Sequence, residues 1–171
     1  MPESDWPPHP YQPTWPRYSV RPFPPYRFVP GKAPHPRRNP DGHSYGQLEP
    51  ELEGLQPDAW PGSDSYRYGI DLYNFAYWWE SHEVFESFWH AAGPKTEEGR
   101  FFQGLIQLAA GNIKQFMGNE AAASNLFRSS ARRFSELPDH YMGIAVADLR
   151  TRLQHGHTGN ILLTLELRGH R

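Results

Sequence analysis

The placement of proline constrains this chain more than any other feature. Of the 18 prolines, 16 fall within residues 1–61, and only Pro94 and Pro138 come later. Proline has no backbone N–H, and its ring clashes with the carbonyl one turn earlier, so no long helix can run through the first third. The remainder is free to be helical between two enforced stops. With 171 residues there is room for one domain with a real core. The apolar fraction of 37% is low for a globular protein, and the shortfall lies mostly in the proline-rich part. The expected architecture is all-α: a compact bundle of about four helices over 65–155, an extended arm over 1–64, and an extended C-terminal tail over 156–171.

The absence of cysteine excludes disulfides, thiolate metal sites and cysteine nucleophiles. The N-terminus lacks the apolar stretch of a secretory signal, and no run approaches the ~20 apolar residues of a membrane-spanning helix. A formal charge of −2 leaves no electrostatic footprint for nucleic acid. Gly-x-Gly and P-loop patterns are missing, so a nucleotide cofactor is not expected. The chain reads as a soluble, cytoplasmic protein without nucleic-acid or membrane partners.

The arm divides in two. Residues 1–21 set Trp6, Tyr11, Trp15 and Tyr18 between prolines, a polyproline-II-like stretch expected to be mobile. Residues 22–64 carry Phe23, Tyr26, Phe28 and Val29, too many apolar side chains for an inert linker. This part is expected to lie extended across the helical domain, with Asp41-Gly42 as a turn.

Four helices follow from the period of the apolar residues and the stop signals. The first is expected over 70–92, halted by Gly93-Pro94. The second begins after Thr96, an N-cap followed by Glu97 and Glu98, and ends near Met117 before Gly118-Asn119. The third covers 120–137, with Ala123, Leu126, Phe127, Ser130, Phe134 and Leu137 on one stripe. The fourth is capped by Asp139, places Met142, Ala145, Val146, Leu149 and Leu153 on one face, and ends at Gly156. The apolar run 160–167 reads as a strand-like or extended closing segment.

The first helix holds the unusual chemistry. Around 100° per residue, Phe75, Trp78, His82, Glu86 and Trp89 share one face, and Tyr77, Val84, Phe85 and Phe88 cover the neighbouring arc. Glu80, Glu83 and Ser87 take the remaining sector, which looks solvated, with Glu83 near its border. His82 and Glu86 thus stand one turn apart among aromatic residues, where an ionisable group costs several kcal/mol unless it finds a partner. On the second helix Gln103 and Gln107 form a polar row bordered by Gly104 and Gly111. If the first helix packs at that glycine edge, the two glutamines reach His82 and Glu86.

Three readings of this group stand side by side. The plainest is a structural polar network, the commonest role of paired core polar groups. The second is a small-ligand pocket with tryptophan walls, Trp78, Trp79 and Trp89 forming the rim. The third is a metal site, with a divalent ion on His82 and Glu86 and with His35 or His43 of the arm completing the shell. Against the third, His-Glu-x-x-Glu lacks the second histidine of a zincin motif, and no Glu-x-x-His supplies a di-iron set. No nucleophile or oxyanion donor is visible beside His82 and Glu86. The arginines Arg128, Arg132 and Arg133 read as a solvated helix face.

Trp-Glu-Ser-His-Glu-Val-Phe-Glu-Ser-Phe-Trp (79–89) after Asn74, Phe-Phe-Gln-Gly-Leu-Ile-Gln-Leu-Ala-Ala-Gly (101–111), and Gly118-Asn119 ahead of an alanine-rich helix form a recognisable set. Together they resemble the motifs of domain of unknown function 309, a family of small all-helical proteins of bacteria and archaea. The resemblance covers roughly 66–153. Pro-Pro-Tyr-Arg-Phe-Val-Pro-Gly, Pro-His-Pro and Gly-His-Ser-Tyr in the arm resemble the leader of a subset of its members. It implies a helical fold and the positions His82, Glu83, Glu86, Trp89, Gln103, Gly104 and Gln107, but no activity. Asn119-Glu120-Ala121-Ala122 departs from the pattern, in which a glycine often precedes the alanines.

The functional expectation is a non-enzymatic module binding a small molecule or a protein, with His82, Glu83, Glu86, Trp89, Gln103 and Gln107 as candidate ligand-binding residues around a buried His/Glu/Gln network. The alternative is a metal-dependent, hydrolytic enzyme with His82 and Glu86 as ligands. The aromatic content also raises the expectation of a homodimer.

Overall fold

Three of the helices start where a side chain takes up a free backbone N–H. Ser63 accepts from the Tyr66 amide at 3.2 Å, Thr96 from Gly99 at 3.0 Å, and Asn119 from Ala122 at 3.1 Å. In the computed structural model, which describes residues 5–49, 51–154 and 161–166, these caps open α1 (Asp64–Asn74), α3 (Glu97–Phe116) and α4 (Glu120–Phe134). Helix α2 (Trp78–Ala92) follows α1, and α5 (Val146–Gln154) follows α4. A short 3-10 helix, Pro57–Gly62, leads into α1, and a two-stranded antiparallel hairpin, β1 (His140–Tyr141) and β2 (Ile144–Ala145), precedes α5. The fold is all-α, and among the described residues no helix is long and apolar enough to cross a membrane.

Helix α3 is the centre of the bundle, packed between α2 and α4. Its core is aromatic: Phe88 of α2 stacks on Phe102 of α3 at 5.0 Å, and Tyr66, Phe85, Phe101 and Phe134 close around them. Each such side chain contributes about 1.5–3 kcal/mol on burial. The Gly104/Gly111 edge faces α4 and not α2. A Cβ at Gly104 would lie 2.7 Å from the Phe134 ring, and one at Gly111 would lie 2.6 Å from Phe127. The Ser130 hydroxyl donates to the Gly104 carbonyl at 2.7 Å across the same contact.

Two expected helices are corrected. The single helix over 70–92 is two helices, separated at 75–77. The Tyr77 amide donates to the Leu72 carbonyl at 2.8 Å and the Ala76 amide to Tyr73 at 3.2 Å, with Ala76 at φ 67°. That bond pair is a Schellman motif, normally built on glycine. The fourth helix begins at Val146, not at 139, because 140–145 form the hairpin. Met142 (φ 45°) and Gly143 (φ 79°) both have positive φ, the signature of a two-residue type I′ turn.

The arm and the tail are both bound to α1. Asp71 accepts from Arg17 Nε at 2.8 Å and from the Tyr18 and Ser19 amides at 2.8 and 2.9 Å. Residues 17–19 belong to the stretch 1–21 expected to be mobile. The Asn74 side chain pairs with both backbone groups of Leu163, accepting at 2.7 Å and donating at 2.8 Å, and Ile161 and Leu163 are buried. Of the expected closing segment, Asn160 and Leu167 lie outside the described residues, as does Gly156 of the expected fourth-helix end.

Candidate functional site

The arm crosses the face of α2 that carries Glu80, Glu83 and Ser87. Tyr26, Phe28 and Val29 of the arm are buried. The sector expected to be solvated is thus the floor under the arm, and Glu80 is its deepest group. With a side chain only 5% exposed, it accepts the Phe28 amide on both oxygens at 3.2 and 3.3 Å and meets His43 Nε2 at 3.2 Å. Burial pushes the Glu80 carboxyl above its ordinary pKa, and the His43 hydrogen bond pulls it part of the way back.

His43 is held from every side. Its imidazole is 3% exposed, tilts on the Tyr26 ring at 4.7 Å, and meets the Ser44 hydroxyl through Nδ1 at 2.8 Å. Nε2 faces a carboxylate, so Nε2 carries the hydrogen, and in the neutral ring Nδ1 accepts from Ser44. Nearby, His35 Nδ1 accepts the Arg37 and Arg38 amides at 3.2 Å, and its ring meets Trp79 edge-on at 5.4 Å. Burial and the two guanidiniums hold His35 below its ordinary pKa. Arg37 Nε pairs with Glu83 at 3.1 Å; burial holds the Glu83 carboxyl above its ordinary pKa, and Arg37 pulls it part of the way back.

His82 and Glu86 do touch, but at the surface. The His82 Nδ1–H donates to the Trp79 carbonyl at 2.6 Å, which turns Nε2 toward Glu86 at 3.3 Å. The side chains are 25% and 46% exposed, and His90 approaches the other Glu86 oxygen at 3.5 Å. The expectation of a buried His82/Glu86/Gln103/Gln107 network is corrected on this point: α4 fills the glycine edge through which the glutamines were to reach α2. Trp89 Nε1 and Gln107 Oε1 are both buried without a hydrogen-bond partner among the described residues. Of the three tryptophans expected at the rim, Trp79 lines the site, whereas Trp78 packs against Phe116 at 6.4 Å.

These groups enclose a cleft of about 680 Å³ between the arm and α1–α2. The arm contributes His35, Arg37, Arg38, His43 and Ser44, and α2 contributes Trp79, Glu80, His82, Glu83, Glu86 and His90. Among the described residues, no three histidine or carboxylate side chains converge closely enough to hold a metal ion. Glu80, Ser44 and Arg37 are the residues that sequence reasoning missed. The pairing of His43 with Glu80 has no local signal, since 37 positions separate them.

Residues 66–126 match the family model DUF309, a domain of unknown function. No curated protein matches the chain. The DUF309 segment runs from α1 into α4 and includes His82, Glu83, Glu86, Trp89, Gln103 and Gln107. It does not include His35, Arg37, His43 or Ser44. One wall of the cleft therefore lies within the matched segment, and the other is the arm.

Proposed function

We propose that this protein binds a small polar molecule in the cleft between the arm and α2. The observation that carries this reading is the cleft itself, in which charged donors and acceptors surround one aromatic face. Arg37 and Arg38 offer donors, Glu83 and Glu86 offer acceptors, and Trp79 offers a ring for a flat part of the ligand to pack on. Its volume falls within the ~300–1,000 Å³ typical of small-molecule sites. The metal-dependent reading keeps His82 and Glu86, which meet at 3.3 Å, as its ligands.

A thermal-shift screen of small carboxylates, phosphates and amides tests the binding reading. At least one class is expected to raise the melting temperature of the full chain and to lose that effect in Arg38→Ala, whose side chain is exposed and free to change without unfolding the arm. Equal shifts in the two proteins, or none in either, would overturn it. Elemental analysis of the chelator-free protein beside His82→Ala tests the metal alternative, which requires stoichiometric metal in the wild type alone.

A further inference from the structure

Ser44, His43 and Glu80 form a continuous hydrogen-bonded row, hydroxyl to imidazole at 2.8 Å and imidazole to carboxylate at 3.2 Å. All three line the cleft. The order of groups is that of an activated nucleophile: a hydroxyl, a base that faces it, and a carboxylate that fixes the base. Here the ring is used with Nδ1 toward the hydroxyl and Nε2 toward the carboxylate.

The row is rigid before any ligand arrives. The Ser44 amide donates to the Pro36 carbonyl at 2.9 Å, its carbonyl accepts from Gln47 at 3.1 Å, and the His43 amide donates to the Tyr26 hydroxyl at 3.1 Å. The turn before it admits only glycine, since a Cβ at Gly42 would lie 2.3 Å from the His35 carbonyl oxygen. Glu80 is fixed in turn by the Phe28 amide. A nucleophile needs this preorganisation, because misplacement of the reacting atoms by about 1 Å costs on the order of 100-fold in rate. Arg37 and Arg38 line the same cleft.

We propose that Ser44 is an acyl-accepting nucleophile, with His43 as its base and Glu80 as a positioning residue, and that the cleft hydrolyses small carboxylic esters. The proposal rests on the cleft being a ligand site. Ser44 Oγ bonds to the ester carbonyl carbon while its proton passes to His43 Nδ1 and the carbonyl electron pair moves onto oxygen. Collapse breaks the bond to the alcohol oxygen, which leaves with the proton from Nδ1, and Ser44 holds the acyl group. Water then attacks the acyl-serine, His43 Nδ1 taking its proton. Collapse returns that proton to Ser44 Oγ and releases the carboxylic acid.

The test uses the full chain with p-nitrophenyl acetate as substrate and a fluorophosphonate as a covalent probe, read by intact and peptide mass. The wild type is expected to hydrolyse the ester and to carry one phosphonyl group on Ser44. Ser44→Ala should lose both while keeping its melting temperature. Glu80→Gln should lower kcat by at least about 100-fold with KM little changed, a split that loss of packing alone would not produce. No label on the wild type, a label elsewhere, or hydrolysis that survives Ser44→Ala would overturn the proposal. If p-nitrophenyl acetate still raises the melting temperature of Ser44→Ala while the wild type is not labelled, the nucleophile fails and the binding reading stands. If it neither binds nor labels, both fail for this ligand class.

Discussion

Arg17 and Asp71 meet at 2.8 Å, joining the proline-rich arm to a carboxylate of α1 that is 0% exposed. The Tyr18 and Ser19 amides complete its shell. A buried carboxylate stripped of its donors keeps its desolvation cost and loses the compensation. Deleting residues 1–19 is therefore expected to lower stability by about 3–5 kcal/mol. In a urea-unfolding cycle with Asp71→Asn, the two changes should be strongly non-additive. Additive losses would mean that the arm stabilises the domain by some other contact.

Glu80 gives a pH dependence with a definite sign. Burial raises its folded-state pKa above the unfolded value. The folded state then holds the proton more tightly, so the contribution from Glu80 is fully present below the unfolded pKa and is lost as pH rises through the folded one. Glu83, raised the same way, and Asp64, lowered through Ser19, are common to wild type and variant. The stability of Glu80→Gln minus that of the wild type should thus increase from about pH 4 upward, read below about pH 6 before histidines change charge. A flat difference across that window would show that Glu80 titrates as an ordinary surface carboxylate.

How much of this was legible from the chain is clearest at two helix ends with the same geometry. Helix α3 closes with the Asn119 amide on the Lys114 carbonyl and Gly118 at φ 81°, and its glycine announces the stop. Helix α1 closes with the same bonds on Ala76, and no glycine or proline marks it. The break is enforced instead by distant partners: Asn74 is taken by Leu163, and Arg27 Nε donates to the Phe75 carbonyl at 2.7 Å. The site was half legible for a related reason. Helical phase placed Glu80 opposite the core, which is correct, but the arm covers that face, and one-dimensional periodicity does not see what a neighbouring segment covers.

Ala76 carries the cost of that unmarked stop. A left-handed conformation costs an L-residue about 1–2 kcal/mol, and a β-branched side chain more. Ala76→Val should destabilise by more than about 2 kcal/mol. Ala76→Gly should be close to neutral, because the relief of strain is offset by the loss of a methyl that is buried and by a more flexible unfolded chain. Thermal melts of the two variants separate conformational strain from packing: equal losses would place the cost in packing alone.

Gly104 allows the same kind of test inside the core. In an exposed helix, glycine to alanine gains about 1 kcal/mol. Here the new Cβ would lie 2.7 Å from the ring of Phe134, which is fully buried and cannot swing outward. The clash should outweigh the propensity, so Gly104→Ala is expected to lose about 1–3 kcal/mol. In a Phe134→Leu background the clashing ring edge is gone, and the same substitution should become neutral or stabilising. The sign change, measured by denaturant unfolding of the four proteins, is the signature of direct contact between α3 and α4 at this glycine. A loss of equal size in both backgrounds would mean that the added methyl meets something other than Phe134.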